Sequence, residues 1–172
     1  DRCLLLLTFR HGLRVSEACG LKLSQVDVEN RVVHVLRLKK GLSTTQPLRP
    51  EEIRAIKAWL KERPATDAFF VSERRGPLSR KTAWLAVRKC GERARLPLPA
   101  YPHMLRHSFG TTLADRNVPL ERIRELMGHS SIQTSQIYIT VSTEQKRQAV
   151  ERLDRRHRLV RRLPAHAGRD CV

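Results

Sequence analysis

His103, Arg106 and His107 fall within the run His103-Met104-Leu105-Arg106-His107, and Gly128-His129 and Tyr138 follow further along the chain. On a helix His103 and Arg106 stand at i and i+3 and share one face, while Leu105 and Phe109 turn toward a core. Such a face can hold a phosphate. A guanidinium stays protonated and offers parallel N–H donors that match two phosphate oxygens, and an imidazole can give or take a proton near neutrality. A second arginine from elsewhere, such as Arg14, would complete a clamp for the charge that develops on a pentacoordinate phosphorus.

Taken singly, each residue has a plainer account. An arginine on a helix is commonly a solvated surface group, a histidine beside leucine is commonly structural, and a tyrosine after Ile137 is commonly half-buried core. His103 and His107, at i and i+4, could begin a zinc site, but zinc needs a third ligand and no carboxylate or cysteine cluster stands near them. No metal is therefore expected.

The elements that must position these residues belong to a basic chain. Its 172 residues are 40% apolar and 30% charged, with 34 Lys and Arg against 17 Asp and Glu and a net charge of +17. That length suits one domain. A field of that sign attracts polyanions, of which nucleic acid is the commonest in a cell; an RNA-associated protein, a membrane-surface binder or a merely soluble basic protein would share the charge. Cys3, Cys19, Cys90 and Cys171 are scattered, which suits a reducing cytosol. The apolar opening from Cys3 to Phe9 is too short to span a bilayer and reads as a buried helix. The chain starts at Asp1 rather than Met, so a missing N-terminal piece is expected.

Residues 2 to about 11 predict a helix, apolar all round and stopped by Gly12, and Ser16 is placed to cap a second short helix ending at Gly20. Arg14 lies between them. Val32, Val33, Val35 and Leu36 predict a strand that turns near Gly41 and returns through Ser43 to Leu48, with Lys39 and Lys40 at a cationic tip. Ile53, Ile56, Trp59 and Leu60 mark a helix after Pro50 that ends before Pro64, and Ala68 to Val71 reads as one more short strand. Ser79 opens a basic helix that runs to about Arg95. Pro102 starts another, continued by Leu105, Phe109 and Leu113. Pro119 starts the next, with Leu120, Ile123, Leu126 and Met127 inward and Gly128 as its stop. Ser142-Thr143-Glu144-Gln145 fits a capping box before a last helix, and Arg155 to Arg169 is a basic tail. The expected class is mainly α with a small antiparallel β-sheet (α+β).

Together, Gly12-Leu13-Arg14-Val15-Ser16-Glu17, His103-Met104-Leu105-Arg106-His107-Ser108-Phe109, Leu126-Met127-Gly128-His129 and Ile137-Tyr138 resemble the tyrosine recombinase (phage integrase) family in order and spacing. The stretch from Arg37 to Thr45 is similar to the fimbrial phase-switch recombinases, and that from His103 to about Gln145 to the Xer-type recombinases. The likeness covers about residues 2 to 150, and implies a catalytic domain over 1–154 with a tail over 155–172. It implies that Arg14 and Arg106 hold the scissile phosphate and that Tyr138 is the nucleophile of a 3′-phosphotyrosyl intermediate. Lys39, rather than its neighbour Lys40, would protonate the leaving 5′-oxygen. His103 and His129 would donate to the phosphate, one of them assisting proton removal from Tyr138. Glu17 would orient the site or serve the helix dipole as an N-terminal acid, and His107 would support it.

The resemblance further implies double-stranded DNA as partner, a homo-oligomer (a tetramer) on two sites, accessory DNA-bending proteins, a cytoplasmic, nucleoid-associated setting, and no cofactor or membrane. Residues 146–162 hold eight Lys or Arg against two acids, which fits either docking into a neighbouring subunit or a basic tail touching DNA. Many members carry a separate N-terminal domain, for which this chain has no room; fimbrial-type members lack it. Inversion of a promoter segment, integration, excision and dimer resolution all stay open. A type IB topoisomerase or a non-catalytic DNA-binding regulator would use the same scaffold. A metal nuclease or phosphatase would need clustered carboxylates.

Overall fold

The computed structural model describes residues 1–37, 42–73 and 75–129. The leucine-rich opening folds as α1 (Arg2–Arg10), which buries Cys3, Leu4, Leu7 and Thr8 along one face. The expectation of a helix buried all round is corrected here: Leu5, Leu6 and Phe9 line an apolar groove shared with Val87, Cys90 and Leu105. The chain turns at Gly12, whose φ of +55° is in the left-handed region, and a Cβ there would stand 2.6 Å from the Phe109 ring.

Helix α2 (Val15–Cys19) follows at once. Its cap differs from the expected Ser16. Arg14 occupies the N-cap position, and the Glu17 carboxylate reaches back to accept the Arg14 backbone N–H at 2.8 Å. An acid one turn into a helix can satisfy an orphan donor as well as a serine can.

Three short strands form an antiparallel sheet in the order β1 (Val26–Asp27), β2 (Val32–Val35), β3 (Thr44–Pro47). The first was not anticipated. The register places Val33 opposite Gln46 and Val35 opposite Thr44, and the alternation buries Val33 and Val35 while His34 and Leu36 face out. Helix α3 (Pro50–Glu62) and helix α4 (Arg80–Arg93) lie where the apolar spacing put them, and Ser79 Oγ caps α4 by accepting the Thr82 N–H at 3.0 Å. The short strand expected at 68–71 is absent; Ala68 and Val71 make only isolated bridges, to Lys22 and Pro77. Phe69 and Phe70 are instead drawn into the core, where Trp59 Nε1 donates to the Phe69 carbonyl at 2.8 Å.

Helices α5 (Pro102–Asp115) and α6 (Leu120–Met127) complete the described part. The main core joins α1, α2, α3, the sheet and the Phe69–Phe70 segment, and a smaller one gathers Ile123 and Met127 with Phe109 and Leu113. On α5 the buried stripe is Pro102, Arg106 and Gly110, with Leu105 and Phe109 only half-buried. That corrects the expectation of an outward Arg106. The α1–α2 turn and the end of α6 both offer main-chain carbonyls to its guanidinium, so a charged group occupies the inner face. No helix among the described residues is long and apolar enough to cross a membrane.

Candidate active site

Glu17 is the hub. Its side chain is 1% exposed, and its Oε1 accepts from Arg14 Nη1 at 2.7 Å while Oε2 accepts from Arg37 Nη1 at 2.7 Å. Arg106 Nη1 stands 3.8 Å from the same Oε2. Three guanidinium groups therefore converge on one carboxylate, leaving the site net positive. Burial pulls the Glu17 carboxyl upward, but the Arg14 N–H, the Arg37 charge and the two guanidinium hydrogen bonds outweigh it and hold the group below its ordinary value.

Arg106 and Arg37 are anchored through main-chain oxygens as well. Arg106 donates to the Gly12 carbonyl and, at 2.7 Å, to the Met127 carbonyl. Arg37 donates to Gly12 at 3.4 Å, to His11 at 3.1 Å and to Leu126. These bonds join the turn after α1 to the end of α6. Arg14, with 37% of its side chain exposed, is the most open of the three.

His129 follows Gly128, whose φ of +61° ends α6 in a left-handed cap. The His129 N–H donates to the Arg124 carbonyl at 2.9 Å, and the residue is buried. Burial, with Arg106, Arg14 and Arg37 nearby, pushes its imidazole down to about 4. At neutral pH it is thus the uncharged ring, with one N–H to donate and one lone pair to accept.

His103 stands one turn before Arg106 on α5 and is exposed. Its ring lies nearly parallel to that of Tyr101, with centroids 5.7 Å apart, and Tyr101 in turn stacks on Trp84 at 5.6 Å. The Arg88 guanidinium covers both Trp84 and Tyr101. His103 therefore sits at the end of an aromatic stack. His107 is exposed on the same helix, its carbonyl accepting from Thr111. Among the described residues no group of three His, Cys, Asp or Glu could hold a metal ion.

The fold thus gathers Arg14 and Glu17, Arg106 and His129 from three separated segments, with His103 along α5. Lys39, Lys40 and Tyr138, the capping box at 142–145 and the basic tail lie outside the described residues. Sequence reasoning missed the inner position of Arg37, although a strict alternation from Val33 through Val35 leads directly to it. It also missed a buried polar chain behind the site: His11 Nδ1 lies 2.9 Å from Gln46 Oε1, and His11 Nε2 lies 2.7 Å from Glu52 Oε1. No spacing rule links residues that far apart in the chain.

The family model described as the phage integrase family matches residues 1–145. The type 1 fimbriae regulatory protein FimB of Escherichia coli strain K12 is 40% identical over 135 residues, covering 76% of this chain and 68% of that protein. The crystal structure of XerA recombinase superposes with a TM-score of 0.72 at 26% identity, covering 88% of this chain and 61% of that one. A post-cleavage complex of XerH site-specific recombinase bound to palindromic difH substrate superposes with a TM-score of 0.70 at 28% identity, over 86% of this chain and 44% of that one.

Proposed function

Because the chain belongs to the phage integrase family, we propose that it is a site-specific tyrosine recombinase that cuts and rejoins duplex DNA without metal or ATP. The observation that carries this reading is the convergence of Arg14, Arg37 and Arg106 on the Glu17 carboxylate, beside a His129 held neutral. A positively charged cluster with rigid donors suits a phosphate that gains charge in its transition state. The XerH recombinase, a relative in structure, is bound to its palindromic difH substrate in a post-cleavage complex, which supports a substrate of the same class here.

In the proposed step Tyr138 Oη attacks phosphorus and forms a 3′-phosphotyrosyl bond as the bond to the 5′-oxygen breaks. Arg14 and Arg106 hold the non-bridging oxygens. The tyrosine proton passes to His129 or His103, and Lys39 gives its proton to the leaving 5′-oxygen. The phosphodiester energy is kept in the new ester, so the reverse attack by a 5′-hydroxyl closes the strand. Glu17 orients the two arginines that it bonds, and His107 and Lys40 support the site.

The catalytic unit is proposed to span 1–154, with 155–172 a basic tail, acting as a tetramer on two DNA sites with accessory bending proteins, in the cytoplasm and on the nucleoid. FimB, a fimbriae regulatory protein by name, favours inversion of a DNA segment as the biological outcome, with integration the other reading. A supercoiled plasmid carrying one or two copies of the repeats that flank the gene tests this. Recombinant product only with two sites, lost in Arg14→Ala and Arg106→Ala, is the expected result. Relaxation on a plasmid with no repeat would mark a topoisomerase instead.

A further inference from the structure

Arg37 continues the inward face of β2 beyond Val35, where another valine or leucine would extend the core. A charged group there is costly unless it is fully paired. Its guanidinium, 0% exposed, is paired with Glu17 and bonded to the carbonyls of His11, Gly12 and Leu126. Gly128 completes the arrangement, because a Cβ there would stand 2.5–2.6 Å from Arg37 Cγ, Cδ and Nε. The end of α6 is shaped around this one side chain.

The other strand of the hairpin reaches the same place. Gln46 Nε2 on β3 donates to the Leu126 carbonyl at 3.0 Å, the oxygen that also accepts from Arg37. The Arg37 backbone N–H donates across the hairpin to Ser43 Oγ at 3.2 Å. Both strands are thus fastened to the residue two before Gly128, and the first is also fastened to Glu17. Lys39 is the second residue after Arg37 in the sequence.

We propose that Arg37 is a positioning residue for strand cleavage, fastening the base of the β2–β3 hairpin to Glu17 and the end of α6 and thereby setting Lys39 against the phosphate held by Arg14 and Arg106. This rests on the reading of Lys39 as the general acid. The carboxylate that holds Arg37 also orients Arg14, so the proton donor and the phosphate clamp share one anchor.

The test uses the full chain and two nicked suicide duplexes, one natural and one with sulfur in place of the bridging 5′-oxygen. A thiolate is a far weaker base than an alkoxide and leaves without being protonated, so the sulfur substrate removes the need for a general acid. Lys39→Ala should lose about a hundredfold in the rate of adduct formation on oxygen and recover on sulfur. Arg37→Lys should melt cooperatively, lose about tenfold or more on oxygen, and recover most of that loss on sulfur. Ser43→Ala, at an exposed position that does not threaten the fold, should show a smaller loss that sulfur also relieves.

An Arg37→Lys enzyme equally slow on both substrates, or as fast as wild type on both, overturns the proposal. If Arg37→Lys does not fold, Ser43→Ala decides: a loss relieved by sulfur supports the proposal, and no loss or an unrelieved loss overturns it. Lys39→Ala left slow on sulfur sinks the general-acid reading and this proposal together. Lys39→Ala relieved while Arg37→Lys is not sinks this proposal alone.

Discussion

Glu17 and Arg37 form an ion pair at 2.7 Å with side chains 1% and 0% exposed, one on a short helix and the other just past a strand. Burial pulls the Arg37 guanidinium below its ordinary value while Glu17 opposes that pull. The carboxylate is also the group to which Arg14 is bonded. One anion therefore serves both the stability of the interior and the aim of an arginine that the proposed chemistry needs.

Removing that anion should be expensive. Glu17→Gln leaves three guanidinium groups facing a neutral amide, and breaking a buried pair from one side costs about 3–5 kcal/mol. Urea denaturation is expected to show a loss of that order with an unchanged slope. A loss under about 0.5 kcal/mol, the range of ordinary surface substitutions, would contradict the account.

Two glycines are predicted to be sensitive and a third tolerant. Gly12 and Gly128 combine positive φ with a Cβ position already filled, by Phe109 and Arg37, whereas a Cβ on Gly76 would meet nothing within 4 Å. Alanine at Gly12 or Gly128 should cost about 1–3 kcal/mol from backbone strain alone. Gly76→Ala should stay within about 0.5 kcal/mol, and thermal melting of the three variants checks the order.

Stability should fall with acid in two stages. His129 has an ordinary value of 6.5 and is pushed down to about 4 in the fold, so the unfolded chain takes up a proton that the folded state refuses. Its contribution is complete above 6.5 and is lost as the pH falls from there toward 4. Glu17 and Glu52 are both held below their ordinary 4.5 despite burial, Glu17 by its two arginines and Glu52 by His11 and the Arg49 N–H. Their contributions are present above 4.5 and vanish as the pH falls through the lower folded-state values. Urea midpoints measured across this range should decline from 6.5 downward in wild type, and His129→Gln should flatten the upper stage. A wild-type midpoint constant between 6.5 and 4 would contradict this reading.

The aromatic stack gives a separate handle on His103. Tyr101→Phe keeps the ring that lies against His103 and loses only the hydroxyl that accepts from Arg88 at 3.3 Å. Tyr101→Leu removes the stacking surface, a contact worth about 0.5–1.5 kcal/mol. In a cleavage assay the phenylalanine variant is expected to match wild type and the leucine variant to lose a few-fold in rate. Equal rates for all three would show that the stack does not position His103.

Helices α3 to α6 were legible because each announces an end: Pro50, Ser79, Pro102 and Gly128 sit at boundaries that the structure confirms. The strand expected at 68–71 failed because apolar Phe69 and Phe70 are equally at home in an irregular core segment, where their rings meet edge to face at 4.8 Å. In the site, Arg14, Arg106 and His129 could be picked out by residue type and order. Their burial could not. An arginine reads as surface until its partners are known, and the partners of Arg106 are carbonyls of Gly12 and Met127, which leave no trace in side-chain chemistry. Arg37 was hidden by the same habit, although its place in the strand alternation marked it as inward.

Covalent capture asks whether the proposed break of a DNA strand goes through Tyr138. A nicked suicide duplex built from the repeats beside the gene is incubated with wild type or Tyr138→Phe in excess EDTA and resolved on a denaturing gel. A protein–DNA adduct at the 3′ phosphate is expected for wild type and none for Tyr138→Phe, with equal DNA binding by both. An adduct that survives Tyr138→Phe, or none from wild type that still binds the site, would contradict it.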